Sequence, residues 1–133
     1  MEITYEEFLV LVRTKADNSD SDSNSECPVT QTLNLIQGKW VLNILFYLCR
    51  TDSARFGEIH KSHPKMSKTM LSSVLKQLER NGLVIRHQFN EIPPHTEYSL
   101  TENGKALMPI FYEMFKWRTS RPDGINFSAE YSE

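Results

Sequence analysis

Cationic side chains are concentrated between Arg55 and His95. This stretch holds seven lysines and arginines against three acids, a net charge of +4, whereas the rest of the chain carries eight basic and fourteen acidic residues, a net charge of −6. The formal charge of the whole chain is only −2, so its charge is strongly polarised. A local basic surface of this kind is what contact with phosphate groups requires.

One predicted helix, residues 67–81, places several of these cations on one side. At about 100° per residue, its apolar residues lie on one side and its hydroxyl and cationic residues on the other, with no acid among the latter. Small hydroxyl side chains let a helix enter a major groove, and hydroxyls suit phosphate or base edges. A solvated surface is the alternative for an isolated helix, but the flanking elements favour DNA contact. The candidate DNA-binding residues, in the helix and next to it, are Lys65, Ser67, Lys68, Thr69, Ser72, Ser73, Lys76, Arg80, Arg86 and His95.

The elements around this helix form a recognisable layout. A short helix pattern over Phe56–His63 stops at a proline, and the helix capped by Ser67 ends at Gly82. Two strand patterns follow, Leu83–Phe89 and His95–Leu100, joined by a turn containing two prolines. The sequence therefore predicts a mainly α fold with a small β-wing (α+β), a winged helix-turn-helix that reads duplex DNA with its second helix.

The N-terminal third predicts an arm, a linker and two core helices. Residues Glu2–Lys15 show an amphipathic helix pattern, and Ala16–Glu26 reads as a flexible acidic linker. Pro28 suits the first turn of the next helix, which continues until Gly38. The helix that follows, Lys39–Cys49, is expected to bury its apolar side, formed by Leu42, Leu45 and Cys49.

The closing helix, predicted to begin at Thr101, carries more apolar surface than one small core can cover. Pro109 should kink it or lie near its start. Its first apolar stripe comprises Leu107, Ile110, Phe111, Met114 and Trp117, and its second comprises Met108, Tyr112 and Phe115. We expect a homodimer held by the N-terminal arm and this helix. The alternative is that the arm folds back over the second stripe within one subunit.

Composition defines the domains and compartment. A chain of 133 residues with 39% hydrophobic content predicts one domain. We assign 1–25 to the arm and acidic linker, 26–120 to the winged helix-turn-helix with its dimerisation helix, and 121–133 to a disordered tail. The sequence shows neither a membrane span nor a signal peptide, and its two cysteines suit a reducing compartment. We expect a cytoplasmic protein, associated with the nucleoid when bound to DNA.

The sequence contains no recognisable catalytic or cofactor-binding motif. It has no Gly-rich phosphate loop, no paired catalytic carboxylates and no recognisable Cys/His spacing, so we predict neither an enzyme nor a cofactor. His60 and His63 lie one turn apart, but no third ligand follows at a metal-site spacing, and we predict no metal. Two other functions stay open. One is a winged helix that binds only protein, and the other is a regulator with an effector pocket at the dimer interface, lined by Trp40, Phe111, Met114 or Trp117.

Several motifs together resemble those of the HxlR-type transcriptional regulators. They are Cys27-Pro28-Val29, Gly38-Lys39-Trp40, Arg55-Phe56-Gly57-Glu58-Ile59, Pro64-Lys65-Met66-Ser67, the run from Leu75 to Val84, and the run from Pro93 to Thr101. The resemblance covers about residues 26–118. It implies a homodimeric bacterial winged helix that acts as a repressor or activator at paired half-sites.

The chain departs from the family pattern at residues that bear on the operator sequence. The family usually has glycine at Gln37, lysine at Thr69, glutamines around Ser73 and Val74, and arginine at His95. Most of these positions lie on the predicted reading surface or wing. The resemblance therefore implies the fold and leaves the operator open.

Cys27 is a candidate redox sensor. Some members of the family sense oxidants or electrophiles through the cysteine of this opening motif. A helix N-terminus favours the thiolate, although the neighbouring Glu26 opposes it. The alternative is that neither cysteine senses anything, with Cys49 a buried small hydrophobic residue.

Overall fold

The computed structural model describes residues 2–16 and 27–121. The chain divides into two compact units, Met1–Asn34 and Leu35–Glu133. The predicted linker between residues 17 and 26 and the predicted tail after Arg121 lie outside the described residues. Within the described ranges, no helix combines the length and the apolar character that crossing a bilayer would take.

The first unit contains helix α1 (Tyr5–Ala16) and most of helix α2 (Pro28–Ile36). A reciprocal capping box opens α1. The Glu7 N–H donates to the Thr4 hydroxyl oxygen at 3.2 Å, and the Thr4 N–H donates to the Glu7 carboxylate at 2.9 Å. Pro28 is the first residue of α2, as predicted, because a missing N–H costs nothing there.

The second unit is a set of helices around a small antiparallel sheet. Its elements are α3 (Val41–Thr51), β1 (Ala54–Arg55), α4 (Phe56–Ser62), α5 (Lys68–Arg80), β2 (Val84–Phe89), β3 (His95–Leu100), α6 (Glu102–Ala106) and α7 (Met108–Thr119). The strand order is β1-β3-β2, and β2 pairs with β3 from Val84↔Leu100 to Phe89↔His95. The short β1 was not predicted, because two residues carry no readable alternation. The predicted α+β winged helix-turn-helix is confirmed.

The core of the second unit is formed by the apolar sides of the helices and the base of the hairpin. In α5, Leu71, Leu75 and Leu78 are 0%, 1% and 0% exposed, and Val74 is half-buried against them. Ile44 and Leu45 of α3 are fully buried in the same cluster. This packing fixes which side of α5 faces outward.

Cys49 corrects the sequence interpretation. The buried residues of α3 are Val41, Ile44, Leu45 and Leu48, whereas Cys49 is exposed and Leu42 only half-buried. At about 100° per residue, Cys49 lies roughly 90° from the centre of the buried surface. The expectation that Cys49 is a buried hydrophobic residue was therefore wrong.

The closing segment is two helices rather than one, with Leu107 between α6 and α7. Pro109 occupies the first turn of α7, the position predicted for it near a helix start. Thr101 caps α6, since its hydroxyl oxygen accepts a hydrogen bond from the Gly104 N–H at 3.1 Å. Of the apolar stripes, Leu107 and Phe111 are buried and Met108 is half-buried against the core. The other members are exposed, and they are Ile110, Tyr112, Met114, Phe115 and Trp117.

Candidate nucleic-acid interface

A tight turn fixes α5 relative to α4. The His63 ring nitrogen lies 2.8 Å from the Ile59 carbonyl oxygen, and the Met66 N–H donates to the His63 carbonyl at 3.0 Å. The Met66 side chain is 1% exposed and anchors the turn in the core. Ser67 then caps α5, because its hydroxyl oxygen accepts a hydrogen bond from the Met70 N–H at 3.1 Å.

The outward side of α5 brings half of the candidate residues together. One shallow depression of about 480 Å³ is lined by Lys68, Thr69, Ser72, Ser73 and Lys76. All five are exposed except Ser72, which is half-buried. The depression is therefore lined by hydroxyl groups and ammonium groups, without a carboxylate.

The lysines of this surface are available to an external anion. Within residues 2–16 and 27–121, neither Lys68 nor Lys76 forms an ion pair with a described acidic residue. Lys65, in the turn, and Arg80, at the end of α5, are also exposed. The arrangement can neutralise phosphates on both sides of the depression.

The structure does not bring the two wing candidates together. Arg86 and His95 lie on opposite sides of the β2–β3 hairpin, because side chains alternate along a strand. His95 is 16% exposed, and its ring nitrogens lie 3.5 Å from the Glu97 carboxylate and 4.0 Å from that of Glu91. Its ring also stacks on Phe89 at 4.6 Å. Arg86 is exposed and has the freer side chain.

Two features of the hairpin were missed by the sequence interpretation. His87 and Phe89 form an edge contact at 4.9 Å, which continues the stack onto His95. Their alternation along one strand, opposite His95 on the other, is the signal that could have revealed this cluster. At the tip, the Ile92 side chain is fully exposed.

The His63 ring is held by groups around it. The His63 ring contacts Trp40 and Tyr47 edge-on, with centroid separations of 6.5 Å and 5.5 Å. One of its nitrogens is occupied by the Ile59 carbonyl. In the described part of the chain, no group of three potential ligands is placed to hold a metal ion.

Cys27 lies immediately before α2, in the first unit. It is half-buried, and its carbonyl oxygen accepts the first hydrogen bond of the helix, from the Gln31 N–H at 3.0 Å. It lines an apolar cavity of about 700 Å³ together with Ile3, Phe8, Leu11, Val12, Pro28 and Val29. The thiol thus lies at a helix N-terminus and beside an apolar surface.

The residues suggested for an effector pocket occupy different environments. Phe111 is buried in the core, and Trp40 is half-buried and packs against this core. Met114 and Trp117 line a depression of about 550 Å³ on α7, with Ile110, Glu113 and Arg118. The four residues therefore do not line a single cavity within the chain, and an effector pocket stays a prediction.

Known proteins are similar to this chain in sequence and in fold. The model of the HxlR-like helix-turn-helix family matches residues 35–124. The chain is 41% identical over 106 residues to the HTH-type transcriptional regulator YdeP of Bacillus subtilis, covering 80% of this chain and 82% of YdeP. It is 42% identical over 97 residues to YybR of the same species, covering 73% of this chain and 77% of YybR.

Solved structures give the same result. The redox regulator HypR in its oxidised form superposes with a TM-score of 0.63 at 38% identity, covering 74% of this chain and 100% of that chain. The reduced form of the regulator YodB from Bacillus subtilis gives 0.68 at 33% identity, covering 77% and 100%. The resemblance deduced from the sequence motifs is confirmed. The chain belongs to the HxlR-like helix-turn-helix family and is a DNA-binding transcriptional regulator.

Proposed function

We propose that the protein binds a paired half-site operator as a homodimer, with α5 of each subunit in a major groove. In this proposal 26–120 is the DNA-binding domain, 1–25 a dimerisation arm with its linker, and 121–133 a tail. Lys65, Lys68, Lys76, Arg80 and Arg86 contact phosphates, Ser67 presents the helix N-terminus to a phosphate, and Thr69, Ser72 and Ser73 face base edges. The protein acts by binding and not by catalysis, in the cytoplasm where the nucleoid lies.

The outward surface of α5 carries this proposal. Its hydroxyl and ammonium groups line one depression without a carboxylate, and the opposite side of the same helix is locked into the core. The helix therefore cannot rotate away from DNA, and its small side chains let the backbone approach base edges. His95 contributes less than the lysines, because two carboxylates lie next to its ring.

The exposed apolar surface of α7 supports the homodimer. Ile110, Tyr112, Met114, Phe115 and Trp117 are each about half exposed or more. In the first unit, α1 and α2 also expose apolar side chains around the cavity beside Cys27. Apolar surfaces of this extent mark contact sites for protein, and a second copy would bury both.

Cys27 is the proposed redox-responsive residue. Its support is the helix N-terminus, its partial exposure, and the similarity of the chain to the redox regulator HypR in both its oxidised and its reduced form. Oxidation or alkylation of this thiol would alter α2 and the apolar surface next to it. Release from the operator is the expected consequence.

A fluorescence anisotropy titration tests the DNA-binding mode. The probe is the promoter duplex next to the protein's own gene, titrated at two salt concentrations, with genomic fragments as competitor. With five phosphate-contacting cations in each subunit of the homodimer, affinity should fall by about a hundred-thousandfold between 50 mM and 200 mM salt. Salt-insensitive binding, or none, would move the assignment to a winged helix that contacts only protein.

The redox step needs a separate measurement. Cys27→Ser should hold the operator in the presence of a thiol oxidant that releases the wild type, whereas Cys49→Ser should be released like the wild type. Equal release of Cys27→Ser and wild type would rule out Cys27 as the sensor.

Sedimentation of the reduced protein reports in parallel whether the chain is a dimer or a monomer whose arm has folded back.

A further inference from the structure

The tip of the β2–β3 hairpin is apolar at its most projecting point. Ile92 has a relative exposure of 101%, the highest among the exposed large hydrophobic residues in the described ranges. Pro93 and Pro94 beside it are exposed as well. Burying an isoleucine side chain is favourable relative to leaving it in water, and Ile92 gains none of that stabilisation within the described part of the chain.

The tip has no cation with which to bind phosphate. Its five residues, Asn90–Pro94, include one charged group, the Glu91 carboxylate, which repels phosphate. That carboxylate lies 4.0 Å from the His95 ring, on the side of β3. What the tip presents outward is therefore an aliphatic side chain with two proline rings behind it.

The hairpin is built to hold this tip firmly. Six consecutive residue pairs join β2 and β3, ending at Phe89↔His95 directly below the tip. The stack of His87, Phe89 and His95, with ring separations of 4.9 Å and 4.6 Å, reinforces the distal half. A side chain at the end of such a hairpin can press against a partner without the hairpin yielding.

The length of β2 matches the distance from the major groove, which α5 is proposed to enter, to the adjacent minor groove. β2 packs against α5 at its base and extends for six residues. At about 3.3 Å per residue it spans about 20 Å. Adjacent major and minor grooves of a duplex with a turn of about 34 Å lie about 17 Å apart. A hairpin anchored on α5 is thus long enough to span the distance to the neighbouring minor groove.

We propose that Ile92, supported by Pro93 and Pro94, inserts as an apolar wedge into that minor groove and partly unstacks a base step. Apolar side chains used in this way kink the duplex toward the major groove. Pyrimidine–purine steps such as TA and CA unstack most easily, so the wedge selects these steps by their deformability. Ile92 is a specificity-determining residue of this kind. The inference rests on the proposed docking of α5 in the major groove.

The experiment uses the full chain and an operator selected by it from a random duplex pool. In a series of end-labelled duplexes, the step facing the wing is set to TA, CA, AA or GC, and anisotropy gives the Kd while energy transfer between the ends gives the bend. Ile92→Ala is compared with Ile85→Ala, a matched control for a half-exposed isoleucine on β2. Both positions are exposed, and thermal melting checks that both variants are folded.

We expect the wild type and Ile85→Ala to prefer TA and CA by about tenfold and to bend them. Ile92→Ala should lose the preference and the bend while keeping its salt dependence. An unchanged preference and bend in Ile92→Ala would overturn the wedge, as would a uniform loss of affinity with the bend intact or a change in sedimentation. If wild type and Ile85→Ala bound no duplex in a salt-dependent manner, the proposed docking itself would be wrong.

Discussion

Helices α5 and α7 have nearly equal length, 13 and 12 residues, and each buries only one side in the core. Their outward sides are opposite in chemistry. That of α5 carries hydroxyl and ammonium groups, whereas that of α7 carries aromatic and aliphatic groups such as Trp117, which is 59% exposed. The same architecture therefore presents two surfaces suited to different partners.

The difference follows from how each partner interacts with water. A polyanion is held by charge and hydrogen bonds, and it is released as salt rises, so α5 suits a reversible contact. Apolar surface is stabilised by removal from water, and the effect changes little with moderate salt, so α7 suits a contact that persists. Under the proposed function, the regulator would exchange its operator while remaining a dimer.

The largest expected effect contrasts the two sides of α5. Leu75→Ala should lower the free energy of unfolding by about 2–5 kcal/mol, because it removes a buried side chain and leaves a cavity. Chemical denaturation measures the change. Lys76→Ala, the next residue along the same helix, is the control and should lie within about 0.5 kcal/mol of the wild type. A similar loss in both variants would mean that α5 is not anchored through its leucines.

The role of the apolar surface of α7 can be tested by replacing one of its large side chains with alanine. Trp117→Ala should weaken the homodimer by about 2–4 kcal/mol, since large aromatic residues dominate the energy of protein interfaces. Sedimentation velocity over a dilution series gives the dissociation constant. The control is Lys116→Ala, which removes an exposed charge from the same helix. A dimer unaffected by Trp117→Ala would place the interface elsewhere.

Removing one positive charge from α5 should have an intermediate effect on DNA affinity. Lys76→Ala should weaken binding to every duplex by about tenfold and reduce the salt slope by about one. Anisotropy titrations over several salt concentrations measure both quantities. Lys105→Ala, on α6, also removes an exposed lysine and should change neither quantity. Indifference of the affinity to Lys76 would exclude the proposed orientation of α5.

The smallest effect concerns sequence preference. Thr69→Ala or Ser73→Ala should leave the affinity for bulk DNA unchanged and alter discrimination at one base pair by about 1 kcal/mol. Selection from a random duplex pool, repeated with each variant, reports the preferred operator. Ser120→Ala provides a control for hydroxyl removal outside α5. Identical selected operators for all of these proteins would show that the two hydroxyls do not read bases.

Much of the fold follows from short-range patterns in the sequence. The two helices of the helix-turn-helix and both wing strands were predicted to within about two residues, because prolines, glycines and apolar periodicity mark their ends. Cys49 was wrongly predicted to be buried, because periodicity alone does not show how wide the apolar side of a helix is. β1 was missed because its partner, β3, lies more than forty residues away along the chain.

The candidate DNA surface was predictable in part. The sequence placed Thr69, Ser72, Ser73 and Lys76 on one side of a helix, and the structure has them lining one depression. Their contact with DNA stays a prediction. For the wing, Arg86 was predicted to matter most and His95 to contribute a hydrogen bond, and only the strand pairing separates the two onto opposite sides of the hairpin.

By itself, the sequence determined the order of the elements, the polarised charge and the family, because periodicity, helix caps and motif spacing are local properties of a chain. The tertiary structure decided which side of each helix meets the core, and hence that Cys49 is exposed and that Trp117 remains available. It also decided that His95 lies among carboxylates while Ile92 projects alone. These outcomes depend on which residues meet across the fold, and contacts between distant segments have no local signature.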